Sequence, residues 1–533
     1  MKKFILTLIL ISFAAAAHAM TSAEIFQAMN DEMQRSMKQL KMPGMDKPYF
    51  MVYKAMPAKR WTYRANLGAL IEENSADTIS LRVSLRAGTP ELDSSFFNSP
   101  VFSTAYQQYP ALSYDAIRAA FWDNTNKAYK DALSILAKKK AYKESRNITE
   151  NYPDFSPAKP AVSVREPAQP SDLSHFKQLA AALSAQANIK ELDSFTVTVT
   201  AGYDPVYMLS SEGAKYVRDN NFVRIAFDAQ ARAKNGFELK ETKTLFYALD
   251  DLPAKEELLK EAAVFARSAA ALTKAEKIEA FIGPVLLEQH ASAIFLEDIF
   301  TGAINAPRPV FSPNSDPRQG EFAQKLGLKV MPVWFDVYSD PAAQTYNNTR
   351  LAASYEVDDE GIAPQKLHLV TNGKLTALPT TRSLIKDQKT SSGHAVLRSN
   401  RRDLFAEGFV MNVFFIPQHT TPAAQFKDEF LQFCREEGLD YCHIVRASPL
   451  GNAFSAYKVD AETGTQTPVY GAGLKDLSTR ALRDIKFAAD DIRAYNLYNG
   501  AVSITAPSIV LGEAEIRPTQ KLPARKPLVP RPI

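Results

Sequence analysis

Residues 283–300 read GPVLLEQHASAIFLEDIF, one histidine and three carboxylates on an apolar background with helical spacing. A zinc peptidase helix looks similar, because a hydrolytic zinc needs donors converging at about 2 Å and H-E-x-x-H supplies two of them from one helical face. Here the spacing works against such convergence. His290 and Glu297 share a face but stand seven residues apart, about 10 Å of helical rise. Glu288 and His290 point in roughly opposite directions. The plainer reading is a surface helix that buries Leu287, Ala291, Ile294 and Phe295 and leaves its polar residues in water. The remaining histidines are His18, His175, His368, His394, His419 and His443, and no two of them share a helical turn.

Other chemistries find less support. There is no G-x-S-x-G elbow, P-loop or dinucleotide glycine pattern. In Ser391-Ser392-Gly393-His394 the serine and histidine are near neighbours, a spacing that makes a turn rather than a nucleophile–base pair. Asp358-Asp359-Glu360 lacks the D-x-D-x-D-G spacing of a calcium loop and reads as a solvated turn entering a strand. The chain holds 63 basic and 59 acidic residues, a near-balance that gives no electrostatic reason for a nucleic-acid partner.

The chain opens with the pattern of a secretory signal. Lys2 and Lys3 precede the apolar run Phe4–Ala16, and Ala17-His18-Ala19 offers small residues for cleavage before Met20. No later apolar run is long enough to span a bilayer, so the expectation is an exported, periplasmic or secreted protein without a membrane span. The two cysteines, Cys434 and Cys442, are either bridged, as export permits, or small buried apolar residues.

The elements that must position these residues follow from periodicity. Thr21–Leu40 places Ile25, Met29, Met33 and Met37 on one helical stripe. Ser113–Lys143 reads as a long helix with Ile117, Phe121, Ala128 and Leu133 inside and lysines crowding its end, where cations suit the helix dipole. Residues 147–171 hold five prolines and read as a linker or surface loop. A helix at Asp172–Ala187, four strand-like runs between 193 and 249, and an alanine-rich helix at Glu256–Ala280 follow. Beyond 281 come short strands, among them KVMPVWFDVY, RLAASYEVDDEG, FVMNVFFIP and YCHIVRAS, with an Asn372-Gly373 hairpin. One helix interrupts them, capped by Thr421 and stopped by Gly438. The fold expected is α+β: an N-terminal α/β domain over 20–280, a β-rich antiparallel domain over 281–516, and a proline-rich basic tail over 517–533.

Several of these segments, in order, resemble the TldD/PmbA (TldE) family. The residues that carry the resemblance are YEVDDEGIAPQKLHLVTNGKL at Tyr355–Leu375, the flanking QGEFAQKLGLKVMPVWFDVYSDP, PTTRS, SSGHAVLRSN, MNVFFIPQ and APSIVLGEAEI, and more weakly VYMLSSEG. TldD-type members are zinc metallopeptidases with an H-E-x-x-x-H helix after an apolar strand and a late cysteine ligand. Laid on that pattern, Glu288 stands at the first histidine, Gln289 at the catalytic glutamate and Ala293 at the second histidine, and NLYNGAVSITAPS has no cysteine. The resemblance therefore implies the PmbA/TldE branch, which lacks the zinc motif. It further implies no cofactor and no catalytic residue, with a role as a peptide-binding pseudo-enzyme subunit beside a TldD-type metallopeptidase, or beside itself in a dimer. Two other readings stay open: an active metallopeptidase with zinc on Glu288 and His290, helped by His394 or His443, and a structural or assembly factor.

Overall fold

The computed structural model describes residues 20–98, 103–110, 112–149, 152–168, 173–232, 236, 238–311, 320–385, 388, 390–397, 406–446, 454–475, 477–498 and 500–518. The signal reading over 1–19 falls outside them, as does the tail beyond 518. Arg517 and Pro518 belong to the strand Ile509–Pro518 rather than to the tail.

The structure is α+β. A nine-stranded sheet dominates the N-terminal half. Its main path runs Val162–Ser163, Lys215–Arg218, Val206–Ser210, Pro48–Asn66, Leu192–Tyr203, Asn221–Arg232 and Glu238–Ala248, which forms one edge. Alternation along Pro48–Asn66 sorts its two faces. Met51, Tyr53 and Ala55 pack under the helices Ser22–Gln39 and Tyr114–Ser145. Phe50 and Val52 face the other way, onto Phe155 and Val357. The first helix starts on a capping box, in which Thr21 and Glu24 satisfy each other's backbone N–H. Ile25, Met29 and Met33 are buried, as their spacing requires.

Two further sheets form the C-terminal half around one core. One runs Glu276–Lys277, Gln466–Lys475, Phe454–Asp460, Tyr441–Arg446, Phe281–Leu287, Ile509–Pro518 and Ile485–Ala488. The other runs Lys374–Leu375, Leu367–Thr371, Phe335–Ser339, Asn412–Pro417, Val502–Ala506 and Arg493–Leu497. Most pairs are antiparallel; Phe281–Leu287 with Tyr441–Arg446 and Asn412–Pro417 with Val502–Ala506 are parallel. The hairpin at Asn372-Gly373 forms with φ of 49° and 71°, the left-handed pair that a two-residue turn demands. A Cβ on Gly373 would also lie 2.5 Å from the Met331 carbonyl oxygen. Cys434 and Cys442 are joined by a disulfide, their Cα atoms 6.4 Å apart.

Several local expectations are corrected. RLAASYEVDDEG is not a strand beyond Thr349–Arg350, because the Asp358 carboxylate accepts the N–H groups of Glu360 and Ile362 and closes a turn. Thr421 does not cap the helix Ala423–Glu436; Asp490 accepts the Ala423 N–H instead, at 2.8 Å. The alanine-rich helix ends at Ala271, and Glu276–Lys277 then adds a parallel strand to the C-terminal sheet. The proline-rich segment is not a free surface loop, since Asp154, Phe155 and Ser156 are buried.

Candidate functional site

The strand Phe281–Leu287 carries the chain to Glu288, and the short helix Gln289–Leu296 follows. Both open onto a cleft of about 860 Å³ between the two halves of the molecule. One wall is the strand Glu238–Ala248 with the helix Lys255–Ala271 behind it. The other is Arg493–Leu497 with Arg446 and Tyr457. Each of these wall strands ends its sheet and has no strand partner on its outer side among the described residues. Two open sheet edges, one from each half, therefore border one cavity.

The side chains at the zinc-motif positions are otherwise engaged. Glu288 Oε2 accepts from Arg446 Nε at 2.8 Å, and Arg446 lies over the Tyr457 ring, 4.3 Å from its centroid. Gln289 Oε1 accepts from the Tyr495 hydroxyl at 3.1 Å, and its N–H donates to Ser508 Oγ. Ala293 is fully buried. His290 stacks on Tyr495, with ring centroids 5.1 Å apart. Burial, aided by nearby Lys243, pulls its imidazole down to about 4, so it is neutral at pH 7. A carboxylate held by a guanidinium, a carboxamide and a methyl do not make the donor set that zinc requires, so these residues do not fit that metal.

The helpers named for the atypical site lie elsewhere. His394 is buried, with its ring nitrogens at 3.1 Å from the Ser392 carbonyl oxygen and from Ser339 Oγ. His443 is buried against Phe281 and Tyr441. Neither lines the cleft, and no three metal-ligating side chains converge among the described residues. The helix also differs from a solvated surface helix. Glu297 is buried in a π-helical turn and accepts from Thr301 Oγ at 2.9 Å. Burial pushes its carboxyl up to about 7.

The acidic turn is the larger surprise. Asp358, Asp359 and Glu360 are all buried, not solvated. Asp359 takes an ion pair from Lys54 at 2.6 Å and the Tyr216 hydroxyl at 2.8 Å, both from the N-terminal sheet. Glu360 faces Arg86 at 3.5 Å and accepts the Arg382 N–H. Burial would raise Asp359, but Lys54 and Arg218 outweigh it and hold the carboxyl at about 2. Burial and adjacent Glu360 push Asp358 to about 8. Gly361 lets the turn approach closely: its φ is +83° and a Cβ there would lie 2.4 Å from the Ala214 side chain. Nearby, the Lys139 ammonium is buried on Asp154 at 2.6 Å, with Arg308 on the other carboxylate oxygen. Lys139 thus ties helix to linker instead of sitting in solvent at the helix end. Together these contacts join the two halves, and none of these residues lines the cleft.

The fold is shared with proteins of known structure. Residues 282–517 match the model of the PmbA/TldA metallopeptidase C-terminal domain. This half of the chain is a domain of TldD/PmbA type. Solved structures extend the fold match to nearly the whole chain. TldE from Thermococcus kodakarensis shares 12% identity, covering 92% of this chain and 100% of its own, with a TM-score of 0.59. A candidate modulator of a DNA gyrase from Thermotoga maritima shares 13% identity over 92% of this chain and 99% of its own, with a TM-score of 0.61. A similar candidate gyrase modulator from Bacteroides thetaiotaomicron shares 12% identity over 93% and 98%, with a TM-score of 0.57. No curated protein matches in sequence.

Sequence reasoning located the helix but missed the walls. The cleft is assembled from segments more than 200 residues apart, and only a strand's place at a sheet edge makes it a wall.

Proposed function

We propose that this chain is an exported, non-catalytic member of the TldD/PmbA family that binds extended peptides, beside an exported TldD-type metallopeptidase or a second copy of itself. The observation that carries the reading is the chemistry at the helix start. Glu288 is paired to Arg446, Gln289 has no useful acid–base range, and Ala293 offers no donor. The cleft supports the peptide half of the reading. Open sheet edges bind extended chains through main-chain hydrogen bonds, which suits peptides of varied sequence. Its volume lies within the roughly 300–1,000 Å³ typical of ligand sites.

The test is co-expression with an exported H-E-x-x-x-H relative, followed by co-purification and peptide cleavage assays of each chain alone and together. Cleavage only by the partner or the pair, with peptide bound by this chain alone, supports the reading. Stoichiometric zinc in the isolated chain and cleavage lost in Glu288→Ala would establish the atypical-site enzyme instead. Absence of any partner and any bound peptide would leave a structural role.

A further inference from the structure

The cleft holds a set of charges that largely cancel. Arg446 is paired with Glu288, Lys243 with Glu261, and Arg350 with Asp250. Two exposed lining groups stand apart from these pairs: Asp251, just past the end of Glu238–Ala248, and Arg493 on the other wall, which has no carboxylate partner among the described residues. Its position is set by its strand. Arg493 pairs with Ala506 and Tyr495 with Ile504. Two residues apart on one strand, Arg493 and Tyr495 share a face, and Tyr495 on that face stacks on His290 and bonds Gln289.

Resting on the peptide-binding reading, we infer that Arg493 is a carboxylate subsite: it selects extended peptides that carry a free C-terminal carboxylate or an acidic side chain and seats that group beside the Tyr495–His290 stack. The guanidinium presents a planar fork that matches a carboxylate with two parallel hydrogen bonds. Arg446, Lys243 and Arg350 are already paired, so among the described lining residues Arg493 is the cation left to meet a ligand carboxylate. A peptide added along Arg493–Leu497 runs within reach of that fork, because strand addition fixes its backbone against the edge and its side chains alternate past the face.

The test uses the full exported chain and short fluorescein-labelled β-branched peptides, read by fluorescence anisotropy. One pair differs only in a free or amidated C-terminus. A second pair, both amidated, differs only in a central Glu or Gln. The native chain should bind at least one acidic member about tenfold more tightly than its neutral twin; which pair shows the preference identifies the source of the carboxylate. Arg493→Gln should abolish that preference, and Arg493→Lys should restore part of it. Equal binding of all four peptides to native chain and Arg493→Gln would overturn the subsite while leaving the peptide cleft standing. Failure of every peptide to bind the native chain would overturn both. A thermal melt of each variant confirms folding, as expected for an exposed side chain.

Discussion

At the scale of single residues, like-looking ion pairs have unlike consequences. Glu288 and Arg446 are each about 40% exposed. Water competes for both groups, so Arg446→Ala should cost under about 1 kcal/mol in urea unfolding. Lys54 and Asp359 are about 5% exposed. Removing the ammonium leaves a carboxylate in the interior, and Lys54→Ala should cost about 3–5 kcal/mol by the same measurement. Equal losses would mean that the acidic turn is hydrated. These burial differences are invisible in the sequence. Asp358-Asp359-Glu360 reads as a surface turn because its cations, Lys54, Arg86 and Arg218, stand 140 to 305 positions upstream. By contrast, the side-chain types of Glu288, Gln289 and Ala293 are read directly from the sequence, whereas their contacts with Arg446 and Tyr495 are not.

At the scale of elements, periodicity and turn chemistry read well where neighbours in sequence decide the outcome. The helix stripe Ile25–Met29–Met33, the hairpin at Asn372-Gly373 and the strands Leu192–Tyr203 and Asn221–Arg232 all follow local rules. Where a distant group intervenes, the reading slips, as at Thr421, where Asp490 supplies the cap. The bridge between Cys434 and Cys442 joins the end of the helix Ala423–Glu436 to the strand Tyr441–Arg446, which carries Arg446 into the cleft. Closing so short a loop restricts the unfolded chain. A Cys434→Ala, Cys442→Ala double variant should therefore lose about 2–3 kcal/mol. No change in the urea midpoint would show that the thiols are unpaired in solution.

At the scale of the whole molecule, three buried histidines make the fold sensitive to acid. His290, His394 and His443 are each held near 4, chiefly by burial. Their folded values lie below the unfolded value of about 6.5. The unfolded chain therefore takes up protons first, and stability present above pH 6.5 declines as pH falls toward 4. Each histidine contributes about 2 kcal/mol of that loss by pH 5. Two carboxyls work in the opposite direction: Asp358, held near 8, and Glu297, held near 7, gain stability as pH falls through those values toward their unfolded ones. His290→Phe keeps the stack on Tyr495 and removes one titration, so its urea midpoint should fall less than the native midpoint between pH 7 and pH 5. An unchanged slope would mean that His290 is solvated.

The central claim is that an extended peptide lies along two sheet edges, one from each half of the chain, and is held there without being cut. Hydrogen–deuterium exchange followed by mass spectrometry, with and without a saturating short peptide, tests it most directly. Exchange should slow along Glu238–Ala248 and Arg493–Leu497 together, while the same spectra show the peptide at its intact mass. Unchanged exchange on both strands, or a peptide cleaved by the isolated chain, would contradict it.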